Sequence, residues 1–176
     1  MNGELMVRNV QRAVRLDIPF LRRIAEHFLE AGFGLKNYSL GVQFVGQRRM
    51  AEVNWQFLRH EGPTDVITFD YRESKCGSRP WGDSRLARRS AGSEIGTIGL
   101  HGDMFICPAV AKTQAQQFRT SMYEELVRYL VHGILHLRGY DDRTAAACSV
   151  MKREEGRWLQ RLRRRFDLHR DRNPLR

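Results

Sequence analysis

Two histidines and one aspartate are the side chains of this sequence whose spacing is best suited to chemistry. His132 and His136 lie four residues apart at the end of an apolar run, so a helix would place their imidazoles one turn apart on the same face. Gly139 follows where a helix can end in a left-handed residue, and Asp142 is then the first carboxylate able to return to the imidazoles. This ligand set leaves a coordination position open, which is typical of a catalytic site for one divalent ion, and we expect zinc.

The spacing is that of the metzincin peptidase motif H-E-x-x-H-x-x-G-x-x-H with two replacements. Asp142 stands where the motif has its third histidine, and zinc accepts a carboxylate ligand there. Gly133 stands where the motif has the glutamate that acts as general base. A metal-dependent peptidase with metzincin-like ligand spacing is therefore an alternative that lacks its base. A metal ion can itself lower the pKa of a bound water, which would keep such a site hydrolytic without the glutamate.

Two other interpretations of the histidine pair are open. A pair on an apolar helix can be two buried imidazoles bonded to the backbone, but the matching offsets of Gly139 and Asp142 favour a metal site. Two histidines and one carboxylate also form the facial triad of non-haem iron oxygenases. No cofactor or substrate motif accompanies the triad here, so we expect no small-molecule organic cofactor.

Composition and charge indicate a soluble protein with a polyanionic partner. The 176 residues suffice for one domain with a hydrophobic core, and 41% of them are hydrophobic. The net charge of +10 favours a polyanion such as nucleic acid. No stretch approaches the roughly 20 apolar residues of a membrane span, and the first residues lack a secretory signal pattern. The three cysteines show no C-x-x-C spacing and indicate reduced thiols, so we expect a cytoplasmic protein without a membrane partner.

The apolar periodicity predicts an α+β fold, in which helices surround a small mixed β-sheet of about four strands. Strands are expected at 5–16, 38–45, 64–71, 95–100 and 103–107, the last two separated by a turn at His101 and Gly102. Helices are expected to begin near Asp17 and Pro108 and to span 47–58, 123–138 and 144–166. The H-x-x-x-H pair therefore lies on a helix. Residues 1–176 read as a single domain, with a basic mobile insertion at about 72–93 and a basic C-terminal tail.

Three stretches resemble one family, the YbeY-type endoribonucleases, which are bacterial ribosomal RNA maturation factors. Residues 132–142 read H-G-I-L-H-L-R-G-Y-D-D and are similar to the family signature H-G-x-L-H-L-x-G-Y-D-H in all but the last letter. Residues 63–69, P-T-D-V-I-T-F, resemble the family strand P-T-D-V-L-S-F. Residues 102–107, G-D-M-F-I-C, resemble the strand G-D-I-x-I-x, and 54–57 resemble the asparagine-led end of the preceding helix.

The resemblance implies a metal-dependent, single-strand-specific endoribonuclease that acts in ribosomal RNA maturation and small-subunit quality control. Its partners would be ribosomal RNA and the small ribosomal subunit. Asp142 takes the place of the family's third histidine ligand. A family arginine with a role in catalysis or RNA contact aligns with Leu58, and we carry its role to the next residue, Arg59. A non-catalytic ribosome-binding factor with a structural metal is a further alternative.

The remaining assignments concern basic and neighbouring polar residues. Arg85, Arg88 and Arg89 lie in the basic insertion, and we expect them to bind RNA phosphates, the alternative being a solvated insertion without that role. Thr64 and Asp65 are expected to anchor the turn before their strand. Tyr140 and Asp141 are expected to orient the turn or a ligand imidazole.

Overall fold

The sheet of this protein has four strands of mixed direction. The computed structural model describes residues 3–72 and 99–169. The strands are β1 (Glu4–Asn9), β2 (Tyr38–Phe44), β3 (Val66–Asp70) and β4 (Leu100–Ile106). Their order is β1-β2-β4-β3; β1, β2 and β4 run parallel, whereas β3 pairs with β4 in the antiparallel sense. The predicted α+β fold with a four-stranded mixed sheet is confirmed.

Five α-helices accompany the sheet in the described residues. They are α1 (Ile18–His27), α2 (Gln47–Leu58), α3 (Pro108–Phe118), α4 (Met122–Leu137) and α5 (Ala145–Arg165), and a π-helical turn (Phe28–Gly32) follows α1. Side-chain caps set several starts, because Asp17, Ser121 and Thr144 accept hydrogen bonds from backbone N–H groups of the first turn. None of the helices described is long and apolar enough to cross a membrane.

Helix α4 is the central helix of the fold. Twelve of its 16 residues are buried, because it packs against β3, β4, α3 and α5. Leu126, Val127, Ile134 and Leu135 are fully buried in one core with residues of the sheet and of α1. A helix that is apolar on nearly all sides is held by its surroundings rather than by its own propensity. The backbone of α4 therefore holds the starting position of any side chain that the helix presents to solvent.

The structure corrects the predicted turn at His101 and Gly102. Both residues lie inside the continuous strand β4. A Cβ atom at position 102 would lie 2.3 Å from the carbonyl oxygen of Phe69 and 3.0 Å from Cδ2 of Leu137. The glycine therefore allows β3 and α4 to approach the strand closely, and it does not mark a chain reversal.

The first strand is also shorter than predicted, since β1 ends at Asn9. The buried side-chain amide of Gln11 donates to Asn9 Oδ1 at 2.9 Å and to the carbonyl oxygen of Val14 at 2.7 Å. It also accepts from the backbone N–H of Val14 at 2.9 Å. These bonds organise a loop where the sequence pattern suggested more strand. Residues 73–93 of the predicted insertion, and the part of the basic tail beyond His169, lie outside the described residues.

Candidate metal centre and its cleft

The two histidines meet at the carboxyl end of α4. Their Nε2 atoms are 3.0 Å apart and their rings are nearly perpendicular, at 80°. Immediately beyond them the helix ends, because Gly139 adopts a φ of +92°. The backbone N–H of Gly139 donates to the carbonyl of His136 at 2.8 Å, and that of Tyr140 donates to Leu135 at 3.0 Å. This glycine-dependent stop turns the chain back toward the imidazoles.

Asp142 is brought to the histidines by this reversal. Its Oδ2 lies 3.7 Å from Nε2 of His132 and 3.6 Å from Nε2 of His136. Asp141 is directed elsewhere, since its Oδ1 accepts from the backbone N–H of Asp142 at 2.9 Å and from Nε of Arg143 at 3.2 Å. The structure thus brings the three predicted ligands together, and Asp141 stabilises the turn that carries the third.

Hydrogen bonds to the other ring nitrogens orient both imidazoles. Nδ1 of His136 lies 3.1 Å from the carbonyl oxygen of Tyr140, and a carbonyl can only accept, so this nitrogen carries the proton. Nδ1 of His132 lies 3.2 Å from the carboxylate of Glu155 and donates to it. Neutral imidazoles in these tautomers would point two Nε2 lone pairs at each other across 3.0 Å. Such an arrangement needs a shared proton or a cation between the nitrogens.

A divalent ion fits this donor set. Donors about 2.0–2.1 Å from a tetrahedral ion lie roughly 3.3 Å apart. The three separations here are 3.0, 3.7 and 3.6 Å, close to that value. Two imidazoles and a carboxylate suit zinc and also other first-row divalent metals.

The electrostatics of the site favour positive charge. Burial lowers the pKa of His132, but the hydrogen bond and charge of Glu155 outweigh it, so this pKa is raised overall, and Asp65 and Asp142 add to the effect. Burial and the neighbouring His132 lower the pKa of His136. The carboxylates of Glu155, Asp65 and Asp142 thus attract a cation to the pair, while the charge of one imidazole opposes protonation of the other.

Glu155 and Arg128 are members of the site that sequence reasoning missed. Nη1 of Arg128 donates to Glu155 at 3.0 Å, and its Nε donates to Glu125 at 3.1 Å. Burial raises the pKa of Glu155, but hydrogen bonds from His132 and Arg128 outweigh this and lower it overall. Arg128 lies one turn before His132 on α4, which is a weak signal in the sequence. Glu155 comes from α5, 23 residues further along the chain, and no local pattern marks it.

The three ligands open onto a cleft of about 260 Å³ beside β3. Its other lining residues come from the end of α2 and the start of β3: Leu58, Asp65, Val66, Ile67 and Thr68. Asp65 has the predicted anchoring role, because its Oδ1 accepts from the backbone N–H of Val66 at 2.8 Å and from the hydroxyl of Thr64 at 2.9 Å. It also contributes a carboxylate to the cleft, a second role that no local sequence pattern indicated.

Arg59 does not line the cleft; its neighbour Leu58 does. Arg59 caps α2 in a left-handed conformation with a φ of 58°, and its guanidinium lies over the ring of Trp55, 6.0 Å from the centroid. The side chain is exposed beside the cleft and not inside it. Arg85, Arg88 and Arg89 lie outside the described residues.

Gly133 faces the sheet, not a substrate. A Cβ atom there would lie 2.7 Å from Cε of Met104 and 3.0 Å from Cγ2 of Thr68. A glutamate could not be accommodated without displacing both side chains. The general base of the metzincin motif is therefore missing, and the packing leaves no room for it.

The chain is similar to known proteins over most of its length. A family model described as Endoribonuclease YbeY matches residues 6–163. The Endoribonuclease YbeY of Parabacteroides distasonis is 34% identical over 127 residues, which cover 72% of this chain and 73% of that protein. The Endoribonuclease YbeY of Chlorobium luteolum is 29% identical over 159 residues, which cover 90% of this chain and 98% of that protein. A solution structure from Thermotoga maritima has a similar fold, with a TM-score of 0.56 and 21% identity, covering 90% of this chain and 88% of that one. The chain therefore belongs to the Endoribonuclease YbeY family.

Proposed function

We propose that this protein is a metal-dependent, single-strand-specific endoribonuclease that acts in ribosomal RNA maturation and small-subunit quality control. The observation that carries the proposal is the cluster of His132, His136 and Asp142 at the mouth of a cleft, in a chain of an endoribonuclease family. Its partners would be ribosomal RNA and the small ribosomal subunit, in the cytoplasm. We further propose that residues 1–176 form a single catalytic domain with a basic insertion at about 72–93 and a basic tail.

The cluster would hold one divalent ion, and its donor set favours zinc. Such an ion supplies Lewis acidity to a phosphoryl oxygen and activates water for attack on phosphorus. The chain's own contribution is to fix the donors. Glu155 and the carbonyl of Tyr140 hold the imidazoles so that both Nε2 atoms face the cleft, and Gly139 returns Asp142 to them.

Asp65 is the carboxylate that lines the cleft without belonging to the ligand cluster. Its Oδ1 is engaged by the Val66 N–H and the Thr64 hydroxyl. Its Oδ2 can therefore accept a proton or a hydrogen bond from water beside the scissile phosphate. An aspartate in this place would perform the proton transfer for which Gly133 provides no side chain.

Arginines would supply the cations that hold the RNA backbone. Arg59 lies beside the cleft and would stabilise the charge that develops on the phosphate. Arg85, Arg88 and Arg89 would bind phosphates further along the strand. The net charge of +10 supports a polyanionic substrate.

The test is a cleavage assay with single-stranded RNA, duplex RNA and casein, each with and without chelator. The expected result is chelator-sensitive cleavage of the single strand, with the duplex and casein left intact. Degradation of casein would establish the peptidase alternative. Intact RNA in the presence of stoichiometric metal would leave the non-catalytic ribosome-binding factor as the function.

A further inference from the structure

The end of helix α2 exposes three large apolar side chains next to the cleft. Trp55 is 52% exposed, Phe57 is 54% exposed and Leu58 is 41% exposed. Single exposed apolar residues are common on protein surfaces, but several close together beside a functional site mark a contact surface. We refer to Trp55, Leu58 and Arg59 together as the α2 platform.

The α2 platform is continuous with the metal-site cleft. Leu58 lines the cleft, and Trp55 precedes it by three residues, so both lie on the same side of the helix. Trp55 and Leu58 are separated along the axis of α2 by only about 4.5 Å, which is the rise of three helical residues. Phe57 is directed differently, since its ring meets the ring of Phe69 edge-on at 4.8 Å between centroids and thereby anchors the helix end to β3.

The α2 platform combines an aromatic face with a cation. The left-handed cap at Arg59 turns its guanidinium over the Trp55 ring, 6.0 Å from the centroid. Among the residues described, no carboxylate forms an ion pair with Arg59, whose side chain is exposed. Proteins that bind single-stranded nucleic acid stack bases on exposed aromatic rings and contact the backbone with neighbouring cations.

We propose that Trp55 is the stacking platform for an unpaired RNA base next to the phosphate held in the cleft, with Arg59 on the adjoining phosphate. This inference rests on the proposed ribonuclease function and gives its single-strand specificity a structural cause. A base inside a duplex is already stacked on both faces and paired at its edge, so it cannot lie flat on an exposed indole. The net charge of +10 and the cation within the α2 platform favour RNA over a protein partner.

The first experiment compares Trp55→Leu, Trp55→Phe and a control, Phe118→Leu. Phe118 is an equally exposed aromatic residue, 59% accessible, at the end of α3. Binding is measured by fluorescence anisotropy with a labelled single strand of about 12 nucleotides whose phosphorothioate linkages slow cleavage. Trp55→Leu is expected to weaken binding about tenfold, because it removes the aromatic face on which a base stacks. Phe118→Leu is expected to keep the parent affinity, because it lies on another helix. Trp55→Phe is expected to lose less affinity than Trp55→Leu, because it retains an aromatic face.

A second measurement does not depend on a loss of affinity. Stacking of a base on the indole quenches tryptophan emission, so RNA should quench the parent protein. The sequence has two other tryptophans, Trp158 and Trp81, and Trp81 belongs to the basic insertion, so the comparison is made in a Trp81→Phe background. In that background, adding Trp55→Phe should remove the RNA-dependent quenching although the RNA still binds. This separates stacking from a purely structural role of the side chain, which would alter affinity and stability without an indole-specific signal.

The outcomes distinguish this inference from the proposed function. If the parent cuts RNA while Trp55→Leu binds as tightly as the parent and Trp55→Phe leaves the quenching unchanged, the inference is overturned and the ribonuclease assignment stands. The exposed cluster would then be a surface for a protein partner. If the parent neither binds nor cuts single-stranded RNA, the proposed function fails and the inference fails with it.

Discussion

The carboxylate of Glu155 lies 3.2 Å from Nδ1 of His132, and its other oxygen accepts a hydrogen bond from Arg128 at 3.0 Å. This contact between α5 and α4 determines which nitrogen of His132 faces the cleft. A carboxylate on one ring nitrogen restrains the imidazole and makes the other nitrogen a stronger ligand. Glu155 is therefore a positioning residue for the metal site.

Replacement of Glu155 is expected to weaken metal binding. Glu155→Ala should reduce the affinity about 10- to 100-fold, as is usual when a partner of a ligand histidine is removed. Glu155→Gln should lose less metal affinity, because its amide oxygen still accepts a hydrogen bond from Nδ1 of His132. Affinity is measured by competition with a chromophoric chelator. Glu154→Ala is the matched control, since Glu154 is similarly buried on α5 but pairs with Arg157, and equal losses at 154 and 155 would contradict the role of Glu155.

Asp142 is expected to behave as a ligand and Asp141 as a turn residue. Asp142→Ala should weaken both metal binding and RNA cleavage, whereas Asp142→His should retain both, because either side chain offers a donor at that place. Asp141→Ala should have a smaller effect on metal binding and cleavage. It removes the hydrogen bonds that Asp141 accepts from the Asp142 N–H and from Arg143, but it removes no metal ligand. Equal tolerance of alanine at both positions would show that the third ligand lies elsewhere.

The histidine pair is expected to bind metal without being needed for the fold. Protein purified without chelator should contain about one divalent ion per chain, with zinc the expected metal. The double variant His132→Ala, His136→Ala should lose it while keeping its helical circular dichroism, because the buried apolar residues of α4 are unchanged. Elemental analysis that finds no stoichiometric metal in the parent would remove the basis of the proposed mechanism.

Gly133 is expected to be required for packing. Gly133→Ala should lower the free energy of unfolding by about 1–3 kcal/mol, because the added methyl group meets Met104 at 2.7 Å in a filled core. Gly156→Ala is the matched control on α5, where an added Cβ has no neighbour within 4 Å. It should raise stability by up to about 1 kcal/mol through helix propensity. Urea unfolding of both variants is the measurement, and a neutral effect at position 133 would contradict the packing argument.

The basic insertion is expected to contribute salt-dependent RNA binding. Changing Arg85, Arg88 and Arg89 together to alanine should weaken binding without abolishing cleavage at saturating RNA. Each lost phosphate contact should reduce the slope of log affinity against log salt by roughly 0.7 for a single strand.

A second triple variant, which loses the same number of positive charges away from the insertion, controls for the change in net charge. Arg8, Arg12 and Arg15 are exposed residues in and after β1, at the sheet edge opposite β3, and their replacement by alanine should change the slope less. Superimposable salt series for the parent and the insertion variant would leave Arg59 and the cleft as the binding surface.

Local spacing was enough to predict the centre of the site. The helical period places His132 and His136 on one face of α4 whatever surrounds it, and a glycine in a left-handed conformation ends the helix within a few residues. The offset of Asp142 from this turn is likewise a short-range property. These residues interact within a single turn and its reversal, so the sequence determines their geometry almost without reference to the rest of the chain.

Only the tertiary structure decided which distant residues complete the site. Glu155 reaches His132 because α5 packs against α4. Leu58, not Arg59, lines the cleft because α2 ends where Phe57 packs on Phe69 of β3. Gly102 appeared in the sequence as a turn residue, yet it lies within β4 because a neighbouring strand and helix need the space of its missing side chain. Such contacts depend on how separate elements pack, and periodicity along one element carries no information about the partner it will meet.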